Sequence, residues 1–129
     1  MSSSMKKVIS TTKAPAAIGP YSQAIEINNM VYTSGVIPIN PEDGSIIEGD
    51  IKVQAERVLK SLSALLKDCG TSLDNVVKTT VFIKNMNDFA AMNEVYARYF
   101  TNNCPARSCV EVARLPKDVL IEIEAIASL

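Results

Sequence analysis

The sequence predicts an α+β fold: one mixed β-sheet with two helices packed on one face, formed by a single domain over residues 1–129. Three observations carry this. Two long segments have apolar residues at helical spacing, and each lies between segments rich in β-branched residues. The last segment, from Val119 to Ala127, alternates apolar and mixed residues with a strict period of two. The resulting order, β-ββ-α-β-α-β-β, segregates the early hairpin from the helices, and two helices suffice to cover one side of a sheet.

Taken in order, Lys7-Val8-Ile9-Ser10 reads as a first strand. The preceding start is serine-rich, with Lys6 and Lys7, and reads as a frayed tail, with a short presequence as the alternative. Ala14 to Tyr21 holds two prolines and a glycine and is an ordered loop. Ser22–Ile27 and Met30–Ser34 form a hairpin around Asn28-Asn29, because asparagine tolerates the left-handed backbone of tight turns. Pro38, Pro41 and Asp43-Gly44 then break the chain, with a very short strand expected at Ile46-Ile47.

Helix one runs from an N-cap at Asp50 to Gly70. Its stripe is Ile51, Ala55, Val58, Leu62, Leu65 and Cys69, widened by Leu59 and Leu66, with Gln54, Glu56, Arg57, Lys60, Lys67 and Asp68 off it. Val76–Lys84 is a strand. Helix two is capped by Asn85 or Asn87 and ends near Thr101. Its residues Phe89, Met92, Tyr96, Tyr99 and Phe100 read as core, and Asn93 sits beside them within reach of a sheet edge.

Two strands close the chain. The first puts Arg107, Cys109 and Glu111 on one side and Ser108, Val110 and Val112 on the other. The second puts Val119, Ile121, Ile123, Ala125 and Ala127 on an apolar face, with Glu122 and Glu124 opposite. Charged groups are costly to bury unless paired or used. The bare side of the sheet, expected to carry Arg107, Cys109, Glu122 and Glu124, calls for a cover, most simply by self-association in a closed ring.

Composition narrows the chemistry. The net charge is −1 and the pI about 5.4, basic residues are scattered, there is no tryptophan and aromatics make up 5%, all of which argue against a nucleic-acid partner. The apolar runs fall far short of the ~20 residues that span a bilayer. There is no histidine, which removes the commonest general base and the commonest nitrogen ligand; with no C-x-x-C pair either, no metal site is expected. Three cysteines, an odd number, suit a reducing compartment. Cys69 falls on the helix stripe and reads as packing.

Arg107 offers a planar fork of donors that can receive a carboxylate bidentately, or it can form a structural ion pair with Glu111, Glu122 or Glu124. Glu122 or Glu124 can hold a water and shuttle a proton. Cys109 lacks a histidine base, so it reads as a small lining residue with a backbone N–H to offer rather than as a nucleophile. Ser34 and Gly35 end a strand and present backbone donors, and Tyr21 presents a hydroxyl.

These residues sit in segments that together resemble the RidA (YjgF) family: A-P-A-A-I-G-P-Y-S-Q-A (14–24), Y-T-S-G-V-I-P-I-N-P (32–41), V-V-K-T-T-V-F-I-K-N-M-N-D-F-A (76–90), N-E-V-Y (93–96) and P-A-R-S-C-V-E-V-A-R-L-P-K-D-V-L-I-E-I-E-A-I-A (105–127). The resemblance implies a chorismate-mutase-like homotrimer with sites between subunits. It implies cofactor-independent hydrolysis of 2-imino and 2-enamino acids, released by serine and threonine dehydratases, to 2-keto acids and ammonia. Arg107 would clamp the substrate carboxylate, Glu122 would position water, and Tyr21, Ser34, Gly35, Asn93 and Cys109 would line the substrate site. Val36 departs from the glutamine common after the Ser-Gly pair, and the link from helix two to Pro105 is short. The alternatives are a 2-keto-acid or metabolite binding module and, behind it, an endoribonuclease or translation inhibitor. The compartment expected is the cytoplasm, with the mitochondrion as the alternative.

Overall fold

The computed structural model describes residues 5–129. The expectation of a presequence or frayed tail falls partly on residues 1–4, outside the described residues. The period-two segment becomes the organising strand, β6 (Ile121–Ser128). It lies inside a six-stranded sheet of order β1-β2-β3-β6-β4-β5, with β1 Lys7–Ile9, β2 Ala24–Ile27, β3 Met30–Thr33, β4 Val76–Ile83 and β5 Ala106–Glu111. β6 is antiparallel to both β3 and β4. β5 runs parallel to β4, which forces the crossover through a helix.

Local chemistry sets the element ends. Asn28 and Asn29 both adopt positive φ, 51° and 62°, and close the β2–β3 hairpin as expected. Helix α1 spans Ile51–Asp68. The Asp50 carboxylate accepts from the Val53 N–H at 3.1 Å, a cap contributing about 1 kcal/mol. Gly70 follows the helix at φ 89°. Helix α2 spans Phe89–Tyr99, a little shorter than the sequence suggests, because Asn85 caps a separate 3-10 turn, Met86–Asp88, ahead of it. Ile46 makes only an isolated bridge to Ile39 in place of the expected short strand.

The α1 stripe is buried along its whole length and packs with Ile121, Ile123, Ala125 and Ala127 of β6 and Val81 and Ile83 of β4. Cys69 belongs to this core, and burial pushes its thiol up to about 11. Gln54 corrects the sequence reading. It lies off the apolar stripe yet is buried, because its amide donates to the Ile47 carbonyl at 3.0 Å and accepts from the Leu120 N–H at 2.8 Å. That pair of bonds ties α1 to the segment entering β6.

The opposite side of the sheet has no helix among the described residues. It carries Tyr32, Thr80, Phe82, Glu122, Glu124 and Ile126, paired across β3, β6 and β4. Among the described residues no helix is long and apolar enough to cross a membrane.

Candidate active site

The residues singled out from sequence fall into two groups. The first gathers around Glu122. Period-two alternation along β6 turns this carboxylate away from the helices. Beyond β3 the chain continues beside β6 through Ser34-Gly35-Val36, and Val36 and Ile123 exchange backbone hydrogen bonds of 2.8 and 3.1 Å. That brings Gly35 against the Glu122 side chain. A Cβ on Gly35 would lie 2.0 Å from Glu122 Oε2 and 2.6 Å from its Cδ, so only glycine lets the carboxylate sit there. Burial, reinforced by Glu124, pushes the Glu122 carboxyl above the usual glutamate range.

Glu122 lines a cleft of about 450 Å³ with Tyr21, Ser34 and Gly35. Ala14, Pro15 and Ile37 give its walls a mostly apolar character, and Lys117 is also part of the lining. Gln23, nearly buried, holds the Thr11–Pro15 strap in place. Its amide accepts from the Thr11 N–H at 2.7 Å and donates to the carbonyls of Pro15 at 2.7 Å and Thr11 at 3.1 Å. The Ser34 hydroxyl donates to the Ser22 carbonyl at 2.6 Å, so its proton is engaged within the chain. Tyr21 is about half exposed and directs its ring to the cleft.

The second group gathers around Arg107, and here the sequence reading needs correction. Arg107 and Cys109 do not share the bare side of the sheet with Glu122. In the parallel β4–β5 ladder Arg107 pairs with Thr79 and Cys109 with Val81. Thr79 and Val81 are fully buried beneath the helices. Paired residues share a face, so Arg107 and Cys109 lie on the helix side while Glu122, paired with Phe82, lies on the other. The phase within each strand was readable; which face each phase occupies was set by pairing.

The ion-pair alternative for Arg107 is not realised: among the described residues it has no carboxylate partner. Its guanidinium carbon sits 4.7 Å from the Tyr96 ring centroid and 5.4 Å from that of Phe89, both on α2. Nη1 donates to Asn93 Oδ1 at 2.7 Å, so Asn93 does reach the sheet edge. Nε and Nη2 have no acceptor among the described residues. The edge they form is a side-on fork for a planar anion.

Cys109 lies on the same face as Arg107. Burial raises its thiol more than Arg107 lowers it, so it rests as a thiol. Because Val112 N–H donates to Ile83 O across the ladder, the alternating backbone of Arg107 and Cys109 points to the open edge of β5. The Cys109 N–H is thus, among the described residues, an unpaired backbone donor on the open edge of the strand that carries Arg107. Among the described residues no three His, Cys, Asp or Glu side chains cluster as a metal site would require.

The sequence reading treated Phe89 and Tyr96 only as core and passed over Thr79 and Gln23. One signal was available: Asn93 and Tyr96 are three apart, so a helix presents both on the same face.

The family model described as endoribonuclease L-PSP matches residues 11–129. The chain belongs to this family, the RidA/YjgF family its motifs resemble. It is 59% identical over 122 residues to a RutC family protein of Pyrococcus abyssi, covering 95% of this chain and 96% of that protein. It is 52% identical over 126 residues to the 2-iminobutanoate/2-iminopropanoate deaminase of Escherichia coli K12, covering 95% and 98%. The crystal structure of Escherichia coli TdcF with bound serine superposes with a TM-score of 0.91 at 48% identity, covering 95% of this chain and 98% of that one. The α+β fold, a mixed sheet with two helices, is therefore the fold of this family.

Proposed function

We propose that the protein is a cofactor-independent deaminase that hydrolyses reactive 2-imino and 2-enamino acids to 2-keto acids and ammonia, acting as a homotrimer with sites between subunits. The observation that carries the reading is the pairing of a free guanidinium fork with a half-buried, glycine-cradled carboxylate on opposite faces of one sheet. A small substrate touching both is most simply accommodated between two copies of the chain, Arg107 coming from one and Glu122 from the next. The bare, partly apolar side of the sheet gives such an assembly a surface to bury.

In this mechanism the substrate carboxylate lies on the Nε–Nη2 edge of Arg107, with the Cys109 backbone N–H beside it. Anchoring fixes the imine carbon relative to a water held by Glu122. The imine reacts in its protonated form: the Glu122 carboxylate takes one water proton as the water oxygen bonds to the imine carbon, giving a neutral carbinolamine. Glu122 returns that proton to nitrogen, the C–N bond breaks as the carbonyl forms, and the hydroxyl proton leaves with the ammonia as ammonium. Protonated imine and water are consumed; keto acid and ammonium form. A carboxyl titrating above the usual glutamate range is better matched to giving and taking a proton near neutrality. Neither a metal nor a strong nucleophile is required, which suits a chain with no histidine.

The deaminase name carried by relatives half identical over nearly the full length supports this reaction. The serine in the TdcF structure supports an amino-acid-like carboxylate as the ligand. The test is a coupled assay in which a threonine or serine dehydratase generates the imine and the rate of keto-acid release is followed. Acceleration by the wild type and its loss in Arg107→Ala supports the reading; full activity in that variant contradicts it. Glu122→Gln separates enzyme from binding module: the deaminase loses turnover and keeps 2-keto-acid binding. RNA cleavage lost in the same two variants would move the assignment to the endoribonuclease activity in the family's description.

A further inference from the structure

We propose that Tyr96 is the positioning residue for Arg107 and that Thr79 is the lock that holds Tyr96. The proposal rests on the carboxylate-clamping reading of Arg107 and names the device that makes the clamp a fixed one.

An arginine side chain has many rotamers to lose, so an unpaired guanidinium at a sheet edge is a poor receptor unless something holds it. Ion pairing is the usual means, and Arg107 has none among the described residues. What it has is a shelf of two aromatic rings, 4.7 and 5.4 Å below the guanidinium carbon, and one hydrogen bond to Asn93. Face contact with a ring fixes the plane of the guanidinium, and the Asn93 bond fixes its rotation within that plane. Together they leave the Nε–Nη2 edge as the one available for a ligand. Holding the cation by rings and an amide keeps the full positive charge for the substrate, which a carboxylate partner would neutralise.

The shelf is itself fixed. The Tyr96 hydroxyl and Thr79 Oγ1 share a 2.8 Å hydrogen bond, and Thr79 is fully buried. Thr79 is also the register partner of Arg107. One residue of β4 therefore sets the backbone position of Arg107 and, through Tyr96, the plane of its side chain. Phenylalanine at position 96 keeps the ring but loses the lock; leucine loses both.

The experiment measures binding of 2-oxobutanoate by calorimetry and steady-state kinetics for Tyr96→Leu, Tyr96→Phe, Thr79→Val and Arg107→Ala, together with the NMR shifts of the Arg107 side-chain protons. Tyr96→Leu is expected to weaken 2-oxobutanoate binding and raise KM about 3- to 30-fold with kcat nearly unchanged, and to abolish the ring-current shift of Arg107. Tyr96→Phe keeps the ring and the shift but loses the lock, so it should weaken binding only a few-fold. Thr79→Val should weaken binding by a few-fold, and this holds as the test if the leucine variant does not fold. Affinity and KM unchanged in Tyr96→Leu or Thr79→Val, with only melting temperature lowered, overturns the proposal in favour of plain packing. Binding retained in Arg107→Ala overturns the underlying carboxylate-clamp reading instead, so the two failures are distinguishable.

Discussion

The two halves of the candidate site hold their charges by opposite means. Arg107 is positioned by what surrounds it: two rings beneath, an amide beside it, and no opposing charge among the described residues. Glu122 is positioned by what is missing, because the empty side of Gly35 provides the space for its carboxylate. Burial pushes the glutamate toward its neutral form. A fixed cation suits binding, and a carboxyl raised above its ordinary range suits proton transfer. The comparison teaches that the halves are specialised, and mutations in each should separate affinity from turnover.

The largest effect is expected at the proton-transfer half. Glu122→Gln should lower kcat by roughly 10²- to 10⁴-fold with a small change in KM, read in the dehydratase-coupled assay. Arg107→Ala comes next. Losing charge-assisted bonds to a carboxylate should cost about 10- to 150-fold in kcat/KM, measured across a range of imine concentrations. Gly35→Ala should mimic Glu122→Gln more weakly: its Cβ must displace the carboxylate, so kcat falls while 2-oxobutanoate still binds. If Gly35→Ala behaves like wild type, the cradle has no functional weight.

A subtler prediction concerns pH. Burial and Glu124 raise the Glu122 carboxyl above its ordinary value. A guanidinium facing it from a second copy would favour the anion and bring that value down. Removing that cation must therefore raise it. Carbon NMR of the labelled Glu122 carboxyl should show titration at higher pH in Arg107→Ala than in wild type; identical titrations would mean that the halves do not face each other. The smallest functional effect belongs to Cys109→Ser, expected to change kcat/KM by less than about threefold because the thiol lines the site as a neutral group.

Much of this was legible in sequence, and the limits have physical causes. The α1 stripe and the β6 alternation could be read directly because each element buries one face against a single core. The Asn28-Asn29 hairpin could be read because its backbone demands a positive φ. Alternation fixes phase within a strand but carries no information on which face that phase meets. Arg107, Cys109 and Glu122 were therefore placed on one side, and the parallel β4–β5 register separates them. Gln54 was misjudged because periodicity treats a polar residue as exposed, whereas two backbone groups inside the fold required its amide. The requirement for glycine at position 35 comes from a side chain 87 residues away on β6, a contact that no local pattern encodes.

The central claim, that Arg107 of one copy works with Glu122 of another, is tested most directly by mixing two impaired variants. Arg107→Ala and Glu122→Gln chains are unfolded together in equal amounts, refolded and assayed for imine hydrolysis. In a closed ring with random mixing, about a quarter of the boundaries pair an intact arginine with an intact glutamate, so roughly a quarter of wild-type activity should return. No recovery above the separate variants, in a mixture shown to contain mixed oligomers, would contradict the account.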